Sequence, residues 1–318
     1  MVWSTRTVKA NGIDIAFAER GSGPLVVLCH GWPELSYSWR HQLPALAAAG
    51  YRVVAPDMRG YGGTSAPQEI DAYTIFHNVG DMTALVEALG EKQAIVVGHD
   101  WGAPVAWHCA MFRPDVFRAV AALSVPHGWR GKARPLETLS KKGIENFYWQ
   151  YFQKPGVVEA EFARDWNHAV RAVLYGSGLR LDLQPGRGMV EDARVPDRPP
   201  AWISEEEIAF YVETFQRTGL RGGFNWYRNL DRNWDLTAAW QSARIAQPAL
   251  FIAGSKDPVI TGIIGEGRLR DMETTVPGLR GKIIIEGAGH WIQQEKPAEV
   301  NAALIHFLRG IDGDLTKA

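Results

Sequence analysis

Asp100, Asp257 and His290 each stand just past an apolar run, and their side chains can act together. Asp100 lies in Val96-Val97-Gly98-His99-Asp100-Trp101-Gly102-Ala103-Pro104, between the apolar stretch 93–97 and a helical pattern that ends at Pro114. A glycine on each side of one polar residue makes a strand-to-helix turn tight enough to push that side chain outward. Asp257 lies in Gly254-Ser255-Lys256-Asp257-Pro258, after the run 249–253. His290 lies in Gly287-Ala288-Gly289-His290-Trp291, after 282–285. Singly, each has a plain structural explanation, since aspartates cap turns and lone histidines are usually packed. Three such groups at matching strand ends, one of them on an exposed turn, point to a reaction centre.

The type of the first residue sets the chemistry. A serine on that turn needs a base and attacks acyl carbon. A carboxylate is already ionised at neutral pH and can displace a leaving group at an sp³ carbon, which leaves an alkyl ester on Asp100. His290 then takes a proton from the water that attacks the ester carbonyl, and Asp257 orients the imidazole and stabilises its charged form. The oxyanion that develops on Asp100 calls for backbone donors, for which the N–H groups of Trp101 and Trp32 are the candidates. The leaving group decides the enzyme. A halide leaves unaided among N–H donors, whereas an epoxide oxygen leaves as an alkoxide and profits from a proton donor. Tyrosine, with a pKa of about 10, suits that task. Two aromatic segments supply candidates, Phe147 to Gly156 with Tyr148, Trp149 and Tyr151, and Phe224 to Asn229 with Trp226 and Tyr227. Residues three apart on a helix occupy adjoining faces, so spacing alone leaves Tyr148 and Tyr151 level. Tyr211 reads as core, in step with Ile208, Val212 and Phe215. The competing explanation for the other tyrosines is likewise an aromatic core.

These groups need a scaffold. Residues 3–9 and 13–19 read as a hairpin around Ala10-Asn11-Gly12. Apolar strands are expected at 24–29, 52–56, 93–97, 117–123, 249–253 and 282–285, with helices at 38–48, 73–89 and after Pro104. Between 128 and 236 strand runs are missing. Helical patterns at 142–153, 159–175 and 204–217 flank a Gly/Pro/Arg-rich loop at 178–200, and Pro297 opens a last helix through Leu308. Alternating strands and helices imply an α/β fold with a mostly parallel sheet flanked by helices. The division is 1–127 and 237–318 for the core and 128–236 for an inserted, mainly helical cap over the carboxyl ends of the strands, where ligands bind in such sheets.

Composition narrows the partners. The chain has 318 residues, 46% hydrophobic and 22% charged, with a formal charge of −1, so neither nucleic acid nor an acidic membrane surface is expected. No apolar run is long enough to span a bilayer, and residues 1–6 do not begin a secretory signal. The 2 cysteines, Cys29 and Cys109, fall in core elements and suggest no disulfide framework. A cytoplasmic enzyme fits, as a monomer or homodimer. No metal-ligand spacing and no phosphate loop occur, and no cofactor is expected.

Several motifs now converge. His30-Gly31-Trp32-Pro33, Gly62-Gly63-Thr64-Ser65, Gly98-His99-Asp100-Trp101-Gly102, the segment from Tyr148 to Gly156, Asn225-Trp226-Tyr227-Arg228-Asn229, Lys256-Asp257 and Gly289-His290-Trp291 follow one another in the order seen in epoxide hydrolases of the α/β-hydrolase superfamily. The chain resembles that family, and its soluble epoxide hydrolase group in particular, over nearly its whole length. A separate phosphatase-like domain, found in some members, is not expected. The resemblance implies the α/β-hydrolase fold and a small-molecule epoxide and water as reactants. It implies Asp100, Asp257 and His290 as triad, Tyr148 and Tyr227 as paired cap tyrosines, and a cis bond before Pro33. His30 is expected to organise its loop, and His99 to pack behind the nucleophile. Trp32, Trp101, His30, Pro33, Trp149, Tyr151 and Trp226 are the candidates for the oxyanion and substrate pocket. The nearest alternative is a haloalkane dehalogenase using the same Asp100, with the indoles of Trp101 and Trp32 on the halide; it has no need of Tyr148 and Tyr227. A binding protein that has lost turnover is weakened by the intact triad, and a serine esterase by the absence of serine on the turn.

Overall fold

The computed structural model describes residues 5–178, 183, 186–262 and 265–315. The chain opens with β1 (Arg6–Ala10) and β2 (Ile13–Arg20). Asn11 and Gly12 join them with φ of 50° and 76°, the two positive values that a two-residue type I′ hairpin turn requires. Trp3 and Ser4, the start of the expected first strand, lie outside the described residues. Then come β3 (Leu25–Cys29), α1 (Gln42–Ala48), β4 (Arg52–Pro56), α2 (Ile75–Ala88), β5 (Ala94–His99), α3 (Gly102–Phe112) and β6 (Phe117–Leu123). Among the described residues seven α-helices follow, α4 (Pro135–Lys141), α5 (Tyr148–Tyr151), α6 (Val157–Arg164), α7 (Trp166–Leu174), α8 (Glu205–Thr218), α9 (Arg221–Arg228) and α10 (Leu230–Leu236). The chain returns through β7 (Ala249–Gly254), α11 (Pro258–Thr261), α12 (Gly265–Thr275), β8 (Leu279–Ile285), α13 (Ile292–Glu295) and α14 (Pro297–Leu315).

The eight strands form one sheet in the order β1-β2-β4-β3-β5-β6-β7-β8. β1 and β2 pair antiparallel, as do β2 and β4, and every other pairing is parallel. Strands β3, β5 and β7 are buried throughout, as a sheet covered on both faces demands. Alternate residues divide between the faces. Val27, Val96, Val120 and Phe251 join a core with α2 and α3. Val26, Val97, Ala121 and Ile252 join one with α1 and α14. Cys29 and Cys109 are both buried and free. Among the described residues no helix is long and apolar enough to cross a membrane.

The helical segment departs from its periodicity in two places. The expected helix 142–153 is only α5. Gly143 ends α4 with φ of 71°, and Phe147 is extended, so the backbone from 142 to 147 leaves the helical region. The expected helix 159–175 is broken at Asp165, whose φ of −153° and ψ of 92° interrupt it; its carboxylate accepts the His168 N–H at 2.9 Å and starts α7 afresh. Similarly, the helix expected from 38 is a 3₁₀ turn, Ser36–Trp39, followed by α1. The last helix runs seven residues beyond Leu308. Hydrogen bonds seat the helical segment on the core. Trp226 Nε1 donates to Arg59 O (3.1 Å), Asn229 Nδ2 to Ile70 O (2.7 Å), and Arg40 Nε to Glu207 Oε1 (2.5 Å).

Candidate active site

Asp100 caps β5 with φ of 50°, a left-handed value that non-glycine residues adopt at some cost and that here turns the chain directly into α3. The turn closes only because its neighbours lack side chains. A Cβ on Gly102 would lie 2.0 Å from Cys29 O, and one on Gly31 would lie 2.3 Å from Asp100 Oδ1. The carboxylate is thus wedged against the backbone after β3, and the Trp32 N–H donates to Asp100 Oδ1 at 2.7 Å. The N–H of Trp101 makes no such bond among the described residues, so only one of the two expected backbone donors engages the carboxylate. Oδ2 lies 3.4 Å from His290 Nε2.

The histidine is held from behind. His290 Nδ1 lies 3.0 Å from Asp257 Oδ1. Asp257 is fully buried and also accepts the Val259 N–H (2.9 Å) and the Ser124 hydroxyl (2.5 Å, on Oδ2). Ser124 Oγ is in turn 2.9 Å from His290 Nδ1. With Nδ1 facing these acceptors, Nε2 is left to face Asp100. Burial works against the His290 imidazolium, but the carboxylates of Asp257 and Asp100 outweigh it and lift its pKa well above the ordinary histidine value. Burial likewise opposes the Asp257 carboxylate, yet His290 and Ser124 hold its pKa below the usual range.

A second buried array lies under the first. His99 Nε2 donates to His290 O (2.7 Å), and its Nδ1 is 2.8 Å from Glu34 Oε2. Glu34 is fully buried and also accepts from Gly31 N (3.3 Å), Gln293 Nε2 (3.1 Å) and Gln294 Nε2 (3.0 Å). Burial alone would raise the Glu34 pKa, but His99 holds it down. His30 fixes the same loop from its other end. Its Nδ1 donates to Gly31 O (2.8 Å) and its Nε2 accepts the Met58 N–H (2.9 Å), and the Trp32–Pro33 peptide is cis.

The helical segment brings aromatic rings onto this floor. Tyr227, on α9, packs edge-on to Trp101 (5.1 Å between centroids), Trp32 (5.8 Å) and Tyr148 (5.7 Å). Burial raises the phenol pKa of both tyrosines, and the charge of Asp100 adds to it. Tyr148 and Tyr227 therefore share a cage with the two residues that flank the carboxylate. Tyr151 is committed elsewhere, donating to Glu161 Oε2 at 2.8 Å. Glu161 in turn accepts the N–H groups of Met189, Val190 and Glu191 and so ties down the loop before α8. Tyr211 is buried with its hydroxyl 2.8 Å from Ser38 Oγ. Trp149 packs on Phe147 and Tyr148. Trp226 meets the site through its ring, edge-on to Trp101, while its N–H is taken by Arg59.

Three participants escape sequence reasoning. Glu34, Ser124 and Gln293 are polar residues whose partners lie 65 to 259 positions away. A signal existed for one of them, since Ser124 is the first polar residue past the apolar run of β6, at the strand end where sheets of this kind place their ligands.

A comparison with known proteins agrees with this geometry. The family description "alpha/beta hydrolase fold" matches residues 24–297. The chain is 44% identical to epoxide hydrolase A of Mycobacterium tuberculosis, over 96% of this chain and 98% of that protein. It is 40% identical to the bifunctional epoxide hydrolase 2 of Rattus norvegicus over 95% of this chain and 54% of that longer protein. The crystal structure of epoxide hydrolase A from Mycobacterium thermoresistibile superposes with a TM-score of 0.91 at 46% identity, covering 96% of this chain and 98% of that one. These relatives do not favour the haloalkane dehalogenase alternative.

Proposed function

The chain belongs to the epoxide hydrolases of the α/β-hydrolase fold, and from that premise we propose that it adds water to a small-molecule epoxide through an ester on Asp100, with residues 128–236 as the cap. The observation that carries the reading is the carboxylate on the β5–α3 turn, held between Trp32 N–H and His290 Nε2, with two phenols in its cage, Tyr227 buried and Tyr148 partly buried.

Asp100 Oδ2 attacks an epoxide carbon, the C–O bond breaks, and the oxygen leaves as an alkoxide that takes a proton from Tyr148 or Tyr227. The raised phenol pKa keeps both tyrosines neutral until that stronger base appears. Alkylation also removes the negative charge that opposes a tyrosinate, so donation is easiest when it is needed. The same loss of charge acts on His290. One of the two carboxylates that hold its proton is gone, so the imidazolium releases that proton to solvent and neutral Nε2 becomes a base for water, the proton being taken up again when the Asp100 carboxylate is restored. The water proton passes to Nε2, hydroxide adds to Cγ of the ester, and the charge on Oδ1 is met by Trp32 N–H. Collapse expels the second alkoxide, which takes the proton from His290. The new carboxyl group returns its proton to the tyrosinate, leaving a vicinal diol and the starting enzyme.

A single turnover of styrene oxide in ¹⁸O-labelled water tests this directly. The ester route places the label in Asp100, and Asp100→Asn forms no diol. Label appearing only in the diol, or full activity in a homogeneous Asp100→Asn sample, refutes it.

A further inference from the structure

Ser124 follows β6 in a conformation that serine rarely accepts. Its φ is 73°, and the Val125 N–H donates across it to Leu123 O at 2.9 Å, the signature of a strained γ-turn. Strain of this kind persists where the surroundings enforce it, and it gathers at working sites. The Ser124 N–H still donates to Ile252 O at 2.9 Å, so β6 and β7 stay paired through the bend. What the bend achieves is placement of Oγ. The hydroxyl is fully buried and touches both the Asp257 carboxylate and the His290 ring. One hydroxyl proton serves Asp257 Oδ2, which leaves an oxygen lone pair for the proton on His290 Nδ1.

Resting on the proposed ester route, we propose that Ser124 is a positioning residue for the hydrolytic half-reaction, locking the Asp257 carboxylate and the Nδ1–H tautomer of His290 so that Nε2 stays aimed at Asp100. Two oxygens of Asp257 then have fixed partners, Val259 N–H and His290 on Oδ1 and Ser124 on Oδ2, and the carboxylate cannot rotate. The first half-reaction uses Asp100 and the tyrosines and does not depend on this lock. The second uses His290 as base and does. The groups that face His290 are Asp257 past β7, Asp100 past β5, and His99 with Glu34 behind it. Of these, Ser124 bonds Asp257 alone. Its hydroxyl dipole partly offsets that carboxylate's field, so removing it strengthens the hold on the His290 proton.

The experiment compares the parent with Ser124→Ala and Ser124→Gly, using styrene oxide and rapid quenching to follow alkylation and hydrolysis of the ester separately across pH. Glycine relieves the strained φ while removing the hydroxyl, so it reports the kinetics if the alanine variant folds poorly. Hydrolysis is expected to slow on the order of tenfold in both variants, with alkylation changed by less than about threefold. The acid limb of the hydrolysis profile should move to higher pH. Equal slowing of both steps, an unmoved limb, or hydrolysis at the parent rate in Ser124→Gly overturns the proposal. The parent itself reports on the ester route; absence of an adduct on Asp100 there refutes that route and this role with it, whereas a competent parent with unaffected variants removes only Ser124.

Discussion

Replacing Glu34 with glutamine conserves shape and removes one charge, and the structure says what that does. Glu34 is fully buried, and its partners include Gly31 N and His99 Nδ1 on Oε2, Gln293 Nε2 and Gln294 Nε2 on Oε1, and the Ser38 hydroxyl. A glutamine keeps one oxygen and turns the other into a donor. Whichever way the amide is placed, at least two of these donors face another N–H, and the buried carboxylate that pairs with His99 Nδ1 is lost. Breaking a buried pair from one side costs about 3–5 kcal/mol. For a chain of this size that corresponds to a fall in melting temperature of about 2 °C per kcal/mol, or roughly 6–10 °C. The loss also reaches catalysis, because Glu34 holds the loop that supplies Trp32 N–H and, through His99, the carbonyl of His290. Calorimetric melting at neutral pH and diol formation from styrene oxide measure the two effects. A Glu34→Gln protein that melts within about 2 °C of the parent refutes the account of a charged, fully committed carboxylate.

On the proposed route, Tyr148 and Tyr227 should behave as partial substitutes for one another. Tyr148→Phe or Tyr227→Phe alone is expected to slow alkylation about tenfold and the double variant on the order of a thousandfold, with Tyr151→Phe changing it little because that hydroxyl serves Glu161; rapid-quench alkylation rates decide, and a double variant within tenfold of the parent counts against the phenols. Stability should fall at both ends of the pH range. The depressed pKa values of Asp257 and Glu34 contribute stability that is present above the ordinary carboxylate range of about 4 and lost as pH falls through their folded values. The raised pKa of His290 contributes stability that is full below about 6.5 and lost as pH rises through its folded value. Urea midpoints against pH for the parent and His290→Gln test the alkaline side, where the difference between the two must shrink as pH rises.

Elements that depend on local pattern were legible in the chain. β4 and β6 match the expected runs residue for residue, and the turn at Asp100 announced itself through its glycines. Side-chain periodicity failed where the backbone was decided by single residues. Gly143 and Asp165 end helices whose apolar spacing continues past them. The spacing also left Tyr148 and Tyr151 level, because only the fold shows that Glu161 claims one hydroxyl. His99 was expected behind the nucleophile, but its partner Glu34, together with Ser124 and Gln293, was invisible for a different reason. Burying a charge is tolerable only with partners in place, and those partners are brought together by the sheet from strand ends far apart in sequence.

The insertion between β6 and β7 has an evolutionary consequence. On the proposed route, the aspartate that is alkylated, the histidine that activates water and the acid behind it all come from strand ends of the sheet, whereas both phenols come from helices inserted between β6 and β7. On that proposal the sheet carries the displacement at carbon, and a separable stretch of chain sets which leaving group is welcome. Selection can reshape that stretch, changing its aromatic lining or its donors, while the displacement machinery beneath is inherited unchanged.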